Sequence, residues 1–328
     1  MQAIVYTQYG SPDVLHLQEV PKPSPKEDEV LVKIHAASVN AVDWHLLTAD
    51  IFLVRLMTGG LLKPKTAILG ADIAGQVEAV GKNVKQFRPG DEVFGDVFGH
   101  GSGGFAEYVS APESALVLKP AKLSFEQAAA VPLAAVTALQ GLRDKGKLQS
   151  GQKVLINGAS GGVGTFAVQI AKSCGAEVTA VCSTRNLDQA RSLGADHVID
   201  YTQEDFTRNE QRYDLIFAAN GYHPLSAYKR ALAPGGIYVM AGGSQAQMFQ
   251  TLLLGPGLSL IGNKTLGIIS AKSNQKDLAV IKELLEAGKV VPAIDKRYPL
   301  SEVPEALRYL GTGHARGKIV ITVKQNCQ

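Results

Sequence analysis

Three cysteines in 328 residues, Cys174, Cys182 and Cys327, are too few for a disulfide framework, and none lies at zinc-ligand spacing from another. That excludes a small disulfide-stapled fold and a cysteine-rich metal module. Long hydrophobic runs are missing as well. The longest apolar stretch, Thr251 to Ile261, is interrupted by Gly255-Pro256-Gly257 and falls short of the roughly 20 residues a membrane helix needs. Charge of one sign does not dominate either: 33 Lys and Arg against 30 Asp and Glu leave a net +3, with no basic block to mark a nucleic-acid footprint. The opening residues, Met1 to Tyr6, read as a strand and carry neither a basic n-region nor an Arg-rich presequence, so the expectation is a cytoplasmic protein in a reducing compartment.

What is present is ordinary globular composition, 45% hydrophobic and 19% charged, in a chain longer than one core usually serves. Two domains are the first expectation. Residues 1 to about 122 are rich in short strands and turns, with Val30 to Ile34, Ile73 to Val80 and the turn Arg88 to Phe94 as examples. The tract Pro21 to Pro25 reads as a stiff surface connector. At Ser124 to Leu133 the texture turns helical, with Ser124 as N-cap and Gln127 in the capping-box position.

The organising stretch is Lys153 to Gly164. A short apolar run enters a glycine-rich turn, and the turn opens into Phe166 to Lys172, where apolar residues fall at helical spacing. A pyrophosphate bound at such a helix start lies almost on the backbone, where free N–H groups and the positive dipole end meet it. Ala159 stands where the first Gly of G-x-G-x-x-G would be, while Gly161 and Gly164 keep the second and third; Gly158, Gly161 and Gly164 form an equally good spacing. Strands and helices then alternate through Glu177–Cys182, Leu187–Leu193, His197–Asp200, Tyr213–Phe217 and Gly236–Met240, which predicts a parallel, doubly wound sheet. From about Asn263 the chain leaves that pattern, with a helix at Gln275 to Ala287 and closing strands near Tyr298 and at Lys318 to Val323.

Several motifs, in order along essentially the whole chain, resemble the medium-chain dehydrogenase/reductase superfamily: Gly70-Ala71-Asp72-Ile73-Ala74-Gly75, Phe87 to Val93, Gly104 to Tyr108, Pro132 to Ala138 and the glycine turn. Within it the chain is most similar to the zinc-independent quinone oxidoreductase branch, near chloroplast-envelope quinone oxidoreductase homologues and alkenal/enone reductases. The resemblance implies an α/β protein made of a GroES-like β-barrel domain, residues 1–122 and 265–328, and a Rossmann NADPH-binding domain, residues 123–264. The active site is expected in the cleft between them, and a homodimer through the Rossmann sheet is expected by analogy.

Zinc-dependent relatives need a Cys on the early loop, a His-Glu pair where this chain has Ala71-Asp72, and four close cysteines near 90 to 115. Those residues are missing, and His35, His45 and His100 are widely spaced with no cysteine nearby, so no metal is expected.

Cofactor preference turns on the end of the second strand of the doubly wound region. An NAD site places a carboxylate there; this chain has Ser183, Thr184 and Arg185, which suit a 2′-phosphate. The same residues also read as a helix cap and a solvated arginine. The cofactor set is then Gly158, Ala159, Ser160, Gly161, Gly162, Val163, Gly164, Ser183, Thr184, Arg185, Tyr201, Asn220, Ala241, Gly242 and Lys318, with NADPH as cofactor. Tyr201 doubles as a strand-end aromatic and Lys318 as a surface lysine.

Asn40 and Thr137 match the family's nicotinamide-side asparagine and threonine, with a turn amide and a packing hydroxyl as the alternatives. The implied reaction is hydride transfer from NADPH to an alkenal, an enone or a quinone. Asp43, His45, Tyr108 and water are open as proton donors, and Trp44, Phe52 and Leu53 either line an acceptor pocket or pack in the core. An enoyl-thioester reductase and an NADPH-binding protein with little turnover stay open beside this reading.

Overall fold

The computed structural model describes residues 1–49, 63–65, 67–101, 103–260 and 263–324. Phe52, Leu53 and Cys327 lie outside them. The chain divides into two compact units, one of residues 1–133, 273–286 and 292–328, the other of residues 134–272 and 287–291.

The first unit is mostly antiparallel sheet. Its strands are β1 (Gln2–Val5), β2 (His16–Glu19), β3 (Glu29–Val39), β4 (Asp72–Val80), β5 (Glu92–Asp96), β6 (Tyr108–Pro112) and β7 (Leu116–Leu118), with the late strands β14 (Ile294–Pro299) and β15 (Lys318–Thr322). β1 and β2 form a hairpin-like pair, while the main sheet runs β14-β15-β3-β4-β5-β7 with β6 on β3. Strand β3 is the spine: eleven residues, buried at nearly every position, pairing with β15, β4 and β6. Its Val32 and Ile34 join Ile73, Phe105, Leu307, Ile319 and Ile321 in the core. This is how residues nearly 300 apart in sequence come to one wall: Ile319 lies opposite Val39, and Ser38 opposite Asp72.

Two helices close this core. Helix α1 (Ala41–Thr48) follows β3 at once, and α9 (Val303–Gly311) packs on it, with Trp44 so close to Gly311 that a Cβ there would meet the indole at 2.5 Å. Trp44 is therefore a packing residue. Helix α2 (Phe125–Ala129) starts at the expected capping box: Ser124 Oγ accepts from Gln127 N–H at 3.1 Å and Gln127 Oε1 from Ser124 N–H at 3.0 Å. Its Phe125 ring stacks on His35 of β3 at 4.3 Å, and its buried Ala128 and Ala129 let it sit close to the sheet. The first unit thus runs to 133 rather than 122. Helix α3 (Pro132–Gln140) carries the chain across the division.

The second unit is a six-stranded sheet in the order β10-β9-β8-β11-β12-β13, every pair parallel. The strands are β8 (Lys153–Asn157), β9 (Glu177–Cys182), β10 (His197–Asp200), β11 (Tyr213–Ala218), β12 (Leu232–Met240) and β13 (Thr265–Ile268). Order 3-2-1-4-5-6 is the Rossmann arrangement, with its switch point beside the first strand. Helices α4 (Gly162–Ser173), α5 (Leu187–Ser192), α6 (Leu225–Ala231) and α7 (Gln245–Leu260) connect the strands. Strand β13 pairs with β12 in register Ile237 with Thr265, so the parallel pattern continues past 264 instead of ending near Asn263. Helix α7 runs through Pro256, which lies in the Gly255-Pro256-Gly257 interruption of the apolar stretch. Helix α8 (Gln275–Glu286) returns to the first unit, tied by Gln275 Nε2 to Leu116 O at 2.8 Å.

Candidate nucleotide-binding turn and buried polar cluster

At the switch point, β8 ends in Asn157 and the chain turns through Gly158 to Gly161 into α4. Gly158 has φ +82°, a left-handed conformation that favours glycine, and a Cβ on Gly164 would lie 2.0 Å from Gly158 O. These two glycines shape the turn. Gly161 differs: a Cβ there would meet only Gly158 O, at 3.7 Å, so its missing side chain leaves space over the turn. The first helical bond of α4 runs from Thr165 N–H to Gly161 O at 2.9 Å, so the N–H groups of Gly162, Val163 and Gly164 have no helical carbonyl to reach. An anion-accepting cradle with the positive end of a twelve-residue helix behind it fits a dinucleotide pyrophosphate.

Not every residue of the turn is available. The N–H groups of Gly158 and Ala159 both donate to Val181 O at 3.1 Å, and Gly161 N–H donates to Gly158 O. Ala159 is fully buried. The donors open to a ligand are those of the helix start, and Gly158 and Ala159 serve by geometry.

At the end of β9, Ser183 is half-buried and Thr184 and Arg185 are exposed. No carboxylate stands on this strand end, but the next strand supplies one. Thr184 Oγ1 donates to Asp200 Oδ2, and Asp200 is held below the usual carboxylate range, chiefly by that bond and also by bonds from Thr202. Thr184 therefore has no hydroxyl proton left for a phosphate. Tyr201, next to Asp200, is 49% exposed with its ring 5.7 Å from that of Tyr222. Farther along the same sheet edge, Asn220 is exposed, the N–H groups of Ala241 and Gly242 both donate to Ala218 O, and Gly242 needs its missing Cβ because Ala219 O would lie 2.4 Å away.

Asn40 and Lys318 lie together in the first unit, in a buried polar cluster that the sequence did not reveal as a unit. Asp72 is fully buried at the start of β4; its Oδ2 accepts from Ser38 Oγ at 2.9 Å, Asn40 Nδ2 at 2.9 Å and Lys318 Nζ at 3.3 Å, and its Oδ1 from Leu133 N–H at 2.8 Å. Lys318 Nζ also donates to Asn40 Oδ1. This ammonium, 3% exposed, is committed inside the first unit, so the phosphate contact expected of Lys318 gives way to an ion pair. The amide of Asn40 donates to Asp72 and Ser38 O and accepts from Lys318, which leaves Asn40 able only to accept from a ligand. Thr137 is half-buried on α3 in the second unit.

Two further carboxylates face this cluster. Asp43 accepts from Asn40 N–H at 2.8 Å and Gly70 N–H at 3.0 Å, and burial pushes its pKa up to about 7. Asp96 is pushed up to about 7 by burial and by the charge of Asp72. Tyr108 lies under Lys22, whose ammonium is 3.9 Å from the ring centre and paired with Glu78. Among the described residues, no group of three or more His, Cys, Asp and Glu side chains is arranged to hold a metal ion.

A parallel sheet in Rossmann order, an anion cradle at its switch point and a separate antiparallel unit built from both ends of the chain define a two-domain dinucleotide-dependent oxidoreductase. The comparisons narrow the class. Residues 26–121 match the alcohol dehydrogenase GroES-like domain and residues 193–321 match the zinc-binding dehydrogenase family. A 2-methylene-furan-3-one reductase of Solanum lycopersicum is 38% identical over 98% of this chain and 79% of that protein. An NADPH-dependent alkenal/one oxidoreductase, chloroplastic, of Arabidopsis thaliana is 34% identical over 98% and 79%. The quinone oxidoreductase from Coxiella burnetii superposes with a TM-score of 0.86 at 31% identity, covering 99% of each chain. The chain belongs to the medium-chain dehydrogenase/reductase superfamily, among relatives named quinone and alkenal/one oxidoreductases.

Proposed function

We propose that this protein is an NADPH-dependent oxidoreductase acting on α,β-unsaturated carbonyl compounds or quinones. The observation that carries the cofactor choice is the end of β9, where Ser183 and Arg185 stand and the strand supplies no carboxylate to grip a ribose diol. When bound, NADPH supplies a hydride to an electron-poor carbon of the acceptor, and a proton from solvent completes the reduction. The N–H groups at the start of α4 hold the pyrophosphate, and Gly161 lets it approach the backbone. Within the first unit Asn40, fixed by Lys318 and Asp72, keeps an acceptor for a ligand, and within the second unit Thr137 is the residue we assign to nicotinamide positioning.

The reaction needs no zinc in this reading. The His-Glu pair of zinc-dependent relatives is replaced by Ala71 and Asp72, and that carboxylate already faces the Lys318 ammonium. No helix among the described residues is long and apolar enough to cross a membrane. The same proposal includes a cytoplasmic location and a homodimer through the Rossmann sheet, at the edge where β13 pairs on one side only among the described residues.

The test is NADPH and NADH oxidation by purified protein, with and without a chelator, against short alkenals, long-chain enones, quinones and enoyl thioesters. Turnover of enones or quinones with NADPH, much weaker with NADH and indifferent to chelation, is the expected result. Preference for NADH would overturn the reading of the β9 end, and binding without turnover would overturn the enzymatic one.

A further inference from the structure

Asn186 is the N-cap residue of α5, a position where an asparagine side chain ordinarily accepts from its own helix, yet its side chain makes no capping bond. It is turned inward instead, 4% exposed, and its Nδ2 donates to Ser160 Oγ at 2.9 Å and to Ser183 Oγ at 3.2 Å. Ser160 belongs to the glycine turn and Ser183 to the end of β9, so one amide joins the two places where the proposed cofactor carries phosphate. An amide NH2 only donates. Each serine oxygen is therefore an acceptor toward Asn186, and each hydroxyl proton must point elsewhere.

The opposite amide orientation is disfavoured by what surrounds the other end. Asn186 Oδ1 is buried with no partner. Exchanging the two ends would place the NH2 there, with two buried donors unsatisfied in place of one acceptor. The unpartnered oxygen and the forgone helix cap are independent signs that the side chain is held for what it does to the serines.

We infer that Asn186 is a positioning residue that turns the Ser160 and Ser183 hydroxyls outward as a coupled pair of donors for the pyrophosphate and the 2′-phosphate of NADPH. This rests on the cofactor reading above and deepens it: selectivity comes from two linked hydroxyls together with Arg185. A phosphate only accepts, so it takes both protons; a ribose hydroxyl in place of the 2′-phosphate gains less from the same donor.

The test uses Asn186→Asp, nearly isosteric, whose carboxylate accepts from both serines and turns their protons inward. Kd values for NADPH and NADH are measured by titration, with the melting temperature of the ligand-free protein and kcat at saturating NADPH alongside. The expected result is an NADPH Kd raised roughly tenfold or more, an NADH Kd raised only about threefold, and kcat little changed. Equal changes for the two nucleotides would overturn the inference. Ser160→Ala, Ser183→Ala and the double variant give a second route should Asn186→Asp not fold: the losses in NADPH affinity should be non-additive, because removing one hydroxyl frees the amide that orients the other. Additive losses would also overturn it. Wild-type protein that binds neither nucleotide would overturn the cofactor assignment itself, a different failure from wild-type binding with equal losses.

Discussion

The two polar regions of this chain solve opposite problems. In the first unit, Ser38, Asn40, Asp43, Asp72, Asp96 and Lys318 are all buried, and nearly every donor and acceptor among them is matched inside the protein. In the second, the glycine turn and the β9 end are partly exposed, the N–H groups of the helix start have no helical carbonyl to reach, and Ser160 and Ser183 accept from Asn186. A matched, buried cluster fixes geometry at an electrostatic cost, whereas unmatched donors at a surface remain available to a ligand. Asn40 is held by a network matched inside the protein, whereas Ser183 accepts from Asn186 and keeps its own hydroxyl proton out of that bond.

Breaking the first region should have the largest effect. Lys318→Met removes the cation bonded to Asp72 and leaves that carboxylate buried beside Asp96, so stability should fall by about 3 kcal/mol or more. Urea denaturation measures it, and an unchanged midpoint would mean the ion pair contributes nothing net. The second region can be broken in two separable ways. Gly164→Ala drives a Cβ to 2.0 Å from Gly158 O and should cost about 1–3 kcal/mol together with nucleotide binding, whereas Gly161→Ala meets nothing closer than 3.7 Å and should keep stability while weakening nucleotide binding about tenfold. Melting curves beside nucleotide titrations separate the two; equal loss of stability in both would contradict the distinction drawn between the glycines.

The smallest effect sharpens the electrostatic side. Asp96 holds its proton to about pH 7 in the folded protein, but releases it near pH 4 when unfolded. Between those values the folded state binds more protons, so the Asp96 contribution to stability falls as pH rises and is fully lost above about pH 7. Asp96→Asn should therefore be more stable than wild type at pH 8, by at least about 1.4 kcal/mol, with the gap closing toward pH 4. Chemical denaturation at several pH values reads the gap, and a pH-independent difference would remove Asp96 as its source.

Much of the parallel-sheet unit was legible because local signals agreed there. Glu177–Cys182 and His197–Asp200 are strands with the expected bounds, and in the first unit Ser124 and Gln127 make the expected capping box. Strand β13 did not stand out because the helix before it, α7, carries Gly255-Pro256-Gly257 inside it, which weakens the helical signal, and its pairing with β12 identifies it. Ser183 stood out by residue type, yet Thr184 looked equivalent to it until Asp200 came beside it from the neighbouring strand. Asn186 did not stand out in the sequence, because its bonds to Ser160 and Ser183 exist only where the turn and the strand end meet.

The sequence by itself determined the class: strand-turn-helix at Lys153 to Lys172, alternating elements after it, and Ser183 and Arg185 where a carboxylate would otherwise stand. Those are short-range patterns, set by residue type and spacing. Only the tertiary structure decided that Lys318 pairs with Asp72 and Asn40, 246 and 278 residues away, that Asp200 takes the Thr184 proton, and that Asn186 ties the turn to the strand end. The physical reason is that a hydrogen bond depends on ångströms between atoms, and sheet pairing between distant strands, not separation along the chain, sets those distances.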